Sequence, residues 1–139
     1  MPPCGAALTS TEIEVAAADL PLGTPGAAAV RRALADVDGR HESPGETLTA
    51  RVMRDLGYSL EPQVWIGPYR VDFLVTGPRV IVEFDGAVKY DDRQAIVAEK
   101  RREDDLRRRG YVVVRLMWSD LHDPARVRRL VVAALTAAA

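Results

Sequence analysis

The chain has 139 residues, 47% hydrophobic and 28% charged, with 19 Lys plus Arg against 20 Asp plus Glu for a formal net charge of -1. That length supports one hydrophobic core, and the apolar content excludes wholesale disorder. The single cysteine, Cys4, excludes an internal disulfide, and no apolar run approaches the ~20 residues of a membrane span. The opening MPPCGAAL has neither a basic nor a sustained apolar region, so a cytoplasmic protein is expected.

The near-zero total hides separated signs. Residues 1–39 carry two Arg and five acids, and residues 40–92 carry six basic and nine acidic side chains. Residues 93–109 reverse this with seven basic and four acidic, and 124–139 add Arg126, Arg128 and Arg129 with no acid. A solvated, ion-paired helix surface explains such arginines as well as a phosphate-binding surface does.

In chain order, residues 1–40 are rich in Ala, Pro and Gly and predict two short helices, about 11–19 and 26–36, around the breaker run PLGTPG. This segment reads as an accessory arm, and residues 41–139 as the functional domain. SPGE at 43–46 places Ser43 at an N-cap, Pro44 at N1 and Glu46 at N3 of a helix that Gly57 ends. Strand composition follows at 63–66, 69–75 and 80–84, separated by Gly67-Pro68 and by TGPR at 76–79, which predicts an antiparallel meander. A helix over 93–109 and the apolar strand YVVVRL at 111–116 imply a crossover that lays the last strand parallel to the third. Asp123 and Pro124 start a final helix. The expected class is α/β, a mixed sheet of αβββαβ(α) order.

Pairing Val75 with Val80 around TGPR gives residue numbers that sum to 155, which sets Asp72 opposite Glu83. Alternation puts Val71, Phe73 and Val75 on one face with Val80, Val82 and Phe84, leaving Asp72, Glu83 and Asp85 on the other. Opposed like charges destabilise a strand pair by up to ~1 kcal/mol, so a compensating charge is expected. A divalent cation of the Mg²⁺ or Mn²⁺ kind suits oxygen-only ligands; Arg70 or Lys89 would serve without a metal. The same arithmetic around Gly67-Pro68 places Gln63 opposite Asp72. Glu46 reads as a capping-box residue satisfying the Ser43 N–H. Glu99, Arg102 and Glu103 share the face of Leu106, where a helix packed on a sheet would be apolar, which a role near the carboxylates or a partly exposed helix would explain.

The run from SPGE through YRVDFLVTGPRVIVEFDGAVKY to EKRREDDLRRRGYVVVRLMWSDL resembles the bacterial domain of unknown function 559, related to very-short-patch repair endonucleases within the PD-(D/E)XK restriction-endonuclease-like superfamily. The resemblance covers about residues 40–135. It implies a Mg²⁺- or Mn²⁺-dependent DNA endonuclease in which Glu46 is the helix glutamate, Asp72 the metal-binding aspartate and Glu83 the acid of the (D/E)XK strand. Asp85 stands where the standard lysine is expected, and Lys89 where many relatives have histidine. Lys100, Arg101 and Arg102 match the position of the family's basic segment, implying contacts to nucleic acid. Cutting of both strands by so small a domain would favour a homodimer, and nicking a monomer. The alternative is a catalytically degenerate nuclease fold that binds DNA, or a protein partner in an antitoxin-like role.

Overall fold

The computed structural model describes residues 25–86 and 93–139, with residues 15, 19, 21 and 23 ahead of them. The helix expected over 11–19 lies outside the described residues except for Val15 and Asp19, and the loop at 87–92, with Lys89, lies wholly outside them. Backbone contacts divide the chain into two units, residues 1–39 and 40–139. In the first, helix α1 spans Ala27–Ala35. Among the described residues no helix is long and apolar enough to cross a membrane.

In the second unit, α2 spans Pro44–Asp55, with the Ser43 hydroxyl accepting from the Glu46 N–H and Pro44 in the first turn. Strands β1 (Leu60–Ile66), β2 (Tyr69–Val75) and β3 (Val80–Phe84) follow. Helix α3 (Arg93–Arg108) leads to β4 (Val112–Leu116), a short helix α4 (Trp118–Leu121) and α5 (Pro124–Ala137). The sheet order is β1-β2-β3-β4, antiparallel up to β3 and parallel between β3 and β4, as the strand–helix–strand pattern requires. The mixed α/β class expected from sequence is the observed one.

Each face of the sheet has its own apolar cluster. Phe73, Val75, Val80, Val82, Val114 and Leu116 pack with Val52 and Met53 of α2, Leu121 of α4, and Val127, Val131 and Ala134 of α5. On the other face Ile66, Val71 and Ile81 pack with Leu106 of α3. Leu106 is the one buried residue of α3; ahead of it Glu99, Arg102 and Glu103 bond the charged residues Arg115 and Glu83 of the sheet.

Both turn-based registers are observed. Ile66 pairs with Tyr69 and Val64 with Val71 across the first hairpin, and Phe73 pairs with Val82 and Leu74 with Ile81 across the second. Two expectations change. β1 starts at Leu60, three residues early, and runs through Pro62, which an edge strand tolerates because its N–H need not enter the ladder. Gln63 has φ 54, a left-handed backbone unusual for a residue with a Cβ, and no 63–72 pair joins the ladder. On one side of this break Leu60, Phe73 and Val75 belong to the first cluster, and on the other Val64, Ile66 and Val71 belong to the second. Val71 therefore does not share a cluster with Phe73, as unbroken alternation predicts.

Candidate active site

The break at Gln63 lies beside Asp72, between the 62–73 and 64–71 pairs. Opposite it, the ladder between β2 and β3 stops at Phe73–Val82, one step short of Asp72–Glu83. Asp72 Oδ2 instead accepts from the Phe84 N–H at 2.9 Å, so the side chain satisfies a donor that regular pairing would have left to the backbone. Burial pushes the Asp72 carboxyl up from 3.8 to about 6; the Phe84 N–H opposes this, the charges of Glu46 and Glu83 add to it, and Arg102 lowers it.

Glu46 is buried, 6% exposed, on the first turn of α2. Its Oε2 accepts from the Glu42 N–H at 2.9 Å and from Gln63 Nε2 at 2.9 Å, and its Oε1 accepts from the Ser43 hydroxyl at 3.0 Å. The capping-box expectation is corrected in its partner: the backbone donor belongs to Glu42. The left-handed turn at Gln63 carries its amide to Glu46, tying the strand break to the helix.

Glu83 is 9% exposed and held by Arg102 of α3 through both oxygens, Nη1 reaching Oε2 at 3.2 Å and Nη2 reaching Oε1. This bond to Glu83 is the main reason the Arg102 guanidinium holds its proton more tightly than usual. Arg102 Nη1 also donates to Glu99 at 3.1 Å, and Nη2 to the Arg70 carbonyl at 3.2 Å. Arg115, beside Glu83 in the parallel register, bonds Glu99 and also Glu103 at 3.1 Å. Arg107 bonds Glu103 at 2.5 Å. The result is an alternating row, Glu83–Arg102–Glu99–Arg115–Glu103–Arg107, running from the site along α3. Arg70 instead pairs with Glu42.

Asp72, Glu83, Asp85, Glu99, Arg102 and Arg115 line one cavity of about 410 Å³, together with Phe84 and Gly86. The Phe84 ring is wedged against α2: a Cβ on Gly45 would fall 2.0 Å from it, and Trp118 meets it edge-on at 4.8 Å. The structure thus brings Asp72, Glu83 and Asp85 to one cavity; Glu46 is not among the residues lining it, although its charge acts on Asp72 and its carboxylate holds Gln63. Lys100 and Arg101 are exposed on α3, whereas Arg102 turns inward. Sequence reasoning missed Arg115, although an arginine inside the apolar run VVVRL, aligned with Glu83 in a parallel register, is a readable signal.

Oxygen-only donors suit a hard divalent cation. Among the described residues no three Asp, Glu, His or Cys side chains are grouped closely enough to hold one. Mg²⁺ commonly takes one or two carboxylates and completes its shell with water and substrate phosphate, so a pair such as Asp72 and Glu83 fits that chemistry. Arg102 uses two of the roughly four lone-pair positions of Glu83, which also lines the cavity.

A mixed four-stranded sheet with acids from β2 and β3 gathered beneath a helix defines a restriction-endonuclease-like protein. Residues 46–135 match the model of the family REase_MTES_1575, and the chain belongs to that restriction-endonuclease-like family. Its fold is similar to that of the homing endonuclease I-Bth0305I catalytic domain, with TM-score 0.55 and 15% identity over 68% of this chain and 99% of that one. No curated protein matches the chain. Membership of such a family points to a nuclease.

Proposed function

We propose that residues 41–139 form an endonuclease domain that hydrolyses DNA phosphodiester bonds with Mg²⁺ or Mn²⁺ held by Asp72 and Glu83, residues 1–40 being an accessory arm. The observation that carries this reading is the convergence of Asp72, Glu83 and Asp85 on one cavity, with Asp72 pushed up to about 6 by burial and by the neighbouring acids. Such a carboxylate calls for a positive partner. A cation bound there would polarise a phosphoryl oxygen and lower the pKa of the attacking water. Glu46 holds Gln63, and through it the backbone beside Asp72. Asp85 borders the cavity where a water or leaving group would pass a proton, and Lys89 is assigned to steady developing negative charge. Lys100 and Arg101, exposed on α3, contact backbone phosphates in a sequence-independent, salt-sensitive way. Arg102 contributes to that surface through the cavity.

Supercoiled plasmid should be nicked or cut by wild type with Mg²⁺ or Mn²⁺ and left intact by Asp72→Ala and Glu83→Ala. Equal cutting by all three proteins refutes the assignment. Running mismatched duplex, single-stranded DNA and RNA alongside tests whether the substrate is like that of a very-short-patch repair enzyme. A second reading, a DNA-binding or antitoxin-like module without catalysis, is favoured by the aspartate at position 85 and by the arginine already seated on Glu83. It predicts DNA or protein binding with no cleavage and no Mg²⁺ site in calorimetry.

A further inference from the structure

The acid of β3 already has a cation, and that cation belongs to the protein. Arg102 grips Glu83 through both oxygens, and the pair is well shielded, with side chains 20% and 11% exposed. The guanidinium has two anchors besides Glu83. Nη1 is also held by Glu99, and Nη2 by the Arg70 carbonyl. If Glu83 turned its charge elsewhere, these two contacts would keep Arg102 at the cavity wall with N–H donors facing the same space. Glu99 is in turn shared with Arg115, so charge displaced at one end of the row is taken up by its neighbours.

We propose that Arg102 is a built-in competitor for the divalent cation at Glu83, and that once displaced it presents its freed donors to the substrate phosphate. This inference rests on the metal reading of the previous subsection. A guanidinium and a divalent ion on one carboxylate repel each other, so each weakens the other. A phosphodiester arriving beside them accepts the arginine's N–H groups and adds negative charge, relieving the repulsion. Cation and substrate therefore bind cooperatively, each raising the affinity of the other by the same factor. Arg102 acts through Glu83 in the first step, as a positioning residue, and touches substrate in the second. The planar fork suits both roles, since it matches carboxylate and phosphate oxygens alike.

The test is Mn²⁺ affinity measured by calorimetry without DNA in wild type, Arg102→Gln and Arg102→Lys, with melting followed by circular dichroism to verify folding. Arg102→Gln should bind Mn²⁺ at least about fivefold more tightly than wild type, the lower end of typical coupling between sites, while cutting plasmid more slowly. Arg102→Lys, which keeps the charge but loses the fork, should show a smaller gain. A purely structural arginine would give the opposite sign, because loosening the site weakens binding. A folded Arg102→Gln that binds Mn²⁺ no more tightly than wild type overturns the inference, and if that variant does not fold, Arg102→Lys decides by the same comparison. Failure of all three proteins to bind Mn²⁺ overturns it together with the metal reading. Tighter binding by the variants, with no cleavage by wild type, sinks the hydrolase reading and leaves the competition standing.

Discussion

Replacing Asp72 with asparagine should make the protein more stable at pH 8 and, on the proposed function, abolish cleavage. The carboxyl titrates at 3.8 in the unfolded chain and at about 6 in the folded one. Between those values the folded state holds a proton that the unfolded state has released, so stability falls as pH rises through the window from 3.8 to about 6. Below it both states are protonated and the effect is absent. Each pH unit is worth about 1.4 kcal/mol for a fully shielded group. Asp72 keeps contact with solvent, so roughly 1–2 kcal/mol is expected after screening. Asparagine mimics the neutral form, and its amide oxygen can still accept from the Phe84 N–H. Urea unfolding followed by circular dichroism, with chelator present, should show Asp72→Asn ahead by that amount at pH 8, level with wild type near pH 3.5, and higher in melting temperature by roughly 4–15 °C at pH 8. Added Mn²⁺ should then stabilise wild type, by about 2.7 kcal/mol at a hundred times Kd, and leave the variant unchanged. A variant less stable at pH 8, or ahead equally at pH 8 and pH 3.5, would refute the reasoning.

Gly45→Ala sets a methyl 2.0 Å from the Phe84 ring; overpacking of this kind should cost about 1–3 kcal/mol, read as a lower urea midpoint, and should reduce cleavage because Phe84 borders the cavity. Leu106→Ala empties the fully buried contact of α3 with the sheet and should cost about 2–5 kcal/mol in the same measurement. Asp120, held below the usual carboxylate range by the Met117 N–H and by Arg126, stabilises the fold above pH 3.8, and that contribution is lost as pH falls through its folded value. Asp120→Asn should therefore be less stable than wild type at pH 7 and approach it in acid, as melting curves at the two pH values would show. Lys100→Ala with Arg101→Ala should weaken DNA binding across sequences and flatten its dependence on salt, measured by fluorescence anisotropy.

The hairpin arithmetic was legible because two short turns with glycine and proline fix strand pairing, and alternation then gives each side chain a face. It fails where backbone conformation departs from a strand. Nothing in the local composition around Gln63 announces a left-handed glutamine, and with that break the alternation of Val71 and the direct pairing of Asp72 with Glu83 are lost. The charged face of α3 was visible as an anomaly around Leu106, but its meaning depends on which strand residues lie beneath each turn. Glu83 and Arg115 are neighbours only through a parallel pairing made across the crossover helix. Glu46 was legible as an N3 glutamate; its contact with Gln63 is tertiary and has no sequence spacing of its own. Lys89 lies outside the described residues.

Lys100, Arg101 and Arg102 are adjacent in the chain and invite replacement as a block by anyone mapping DNA contacts. The helix separates them: two project to solvent, while the third ends on Glu83. A triple alanine variant would remove surface charge and uncover the acid of β3 in one step, so its loss of cleavage would look like lost DNA affinity even if every phosphate contact were dispensable. Scanning mutagenesis of α3 therefore has to follow the helical phase, with positions 100 and 101 altered together and position 102 always alone.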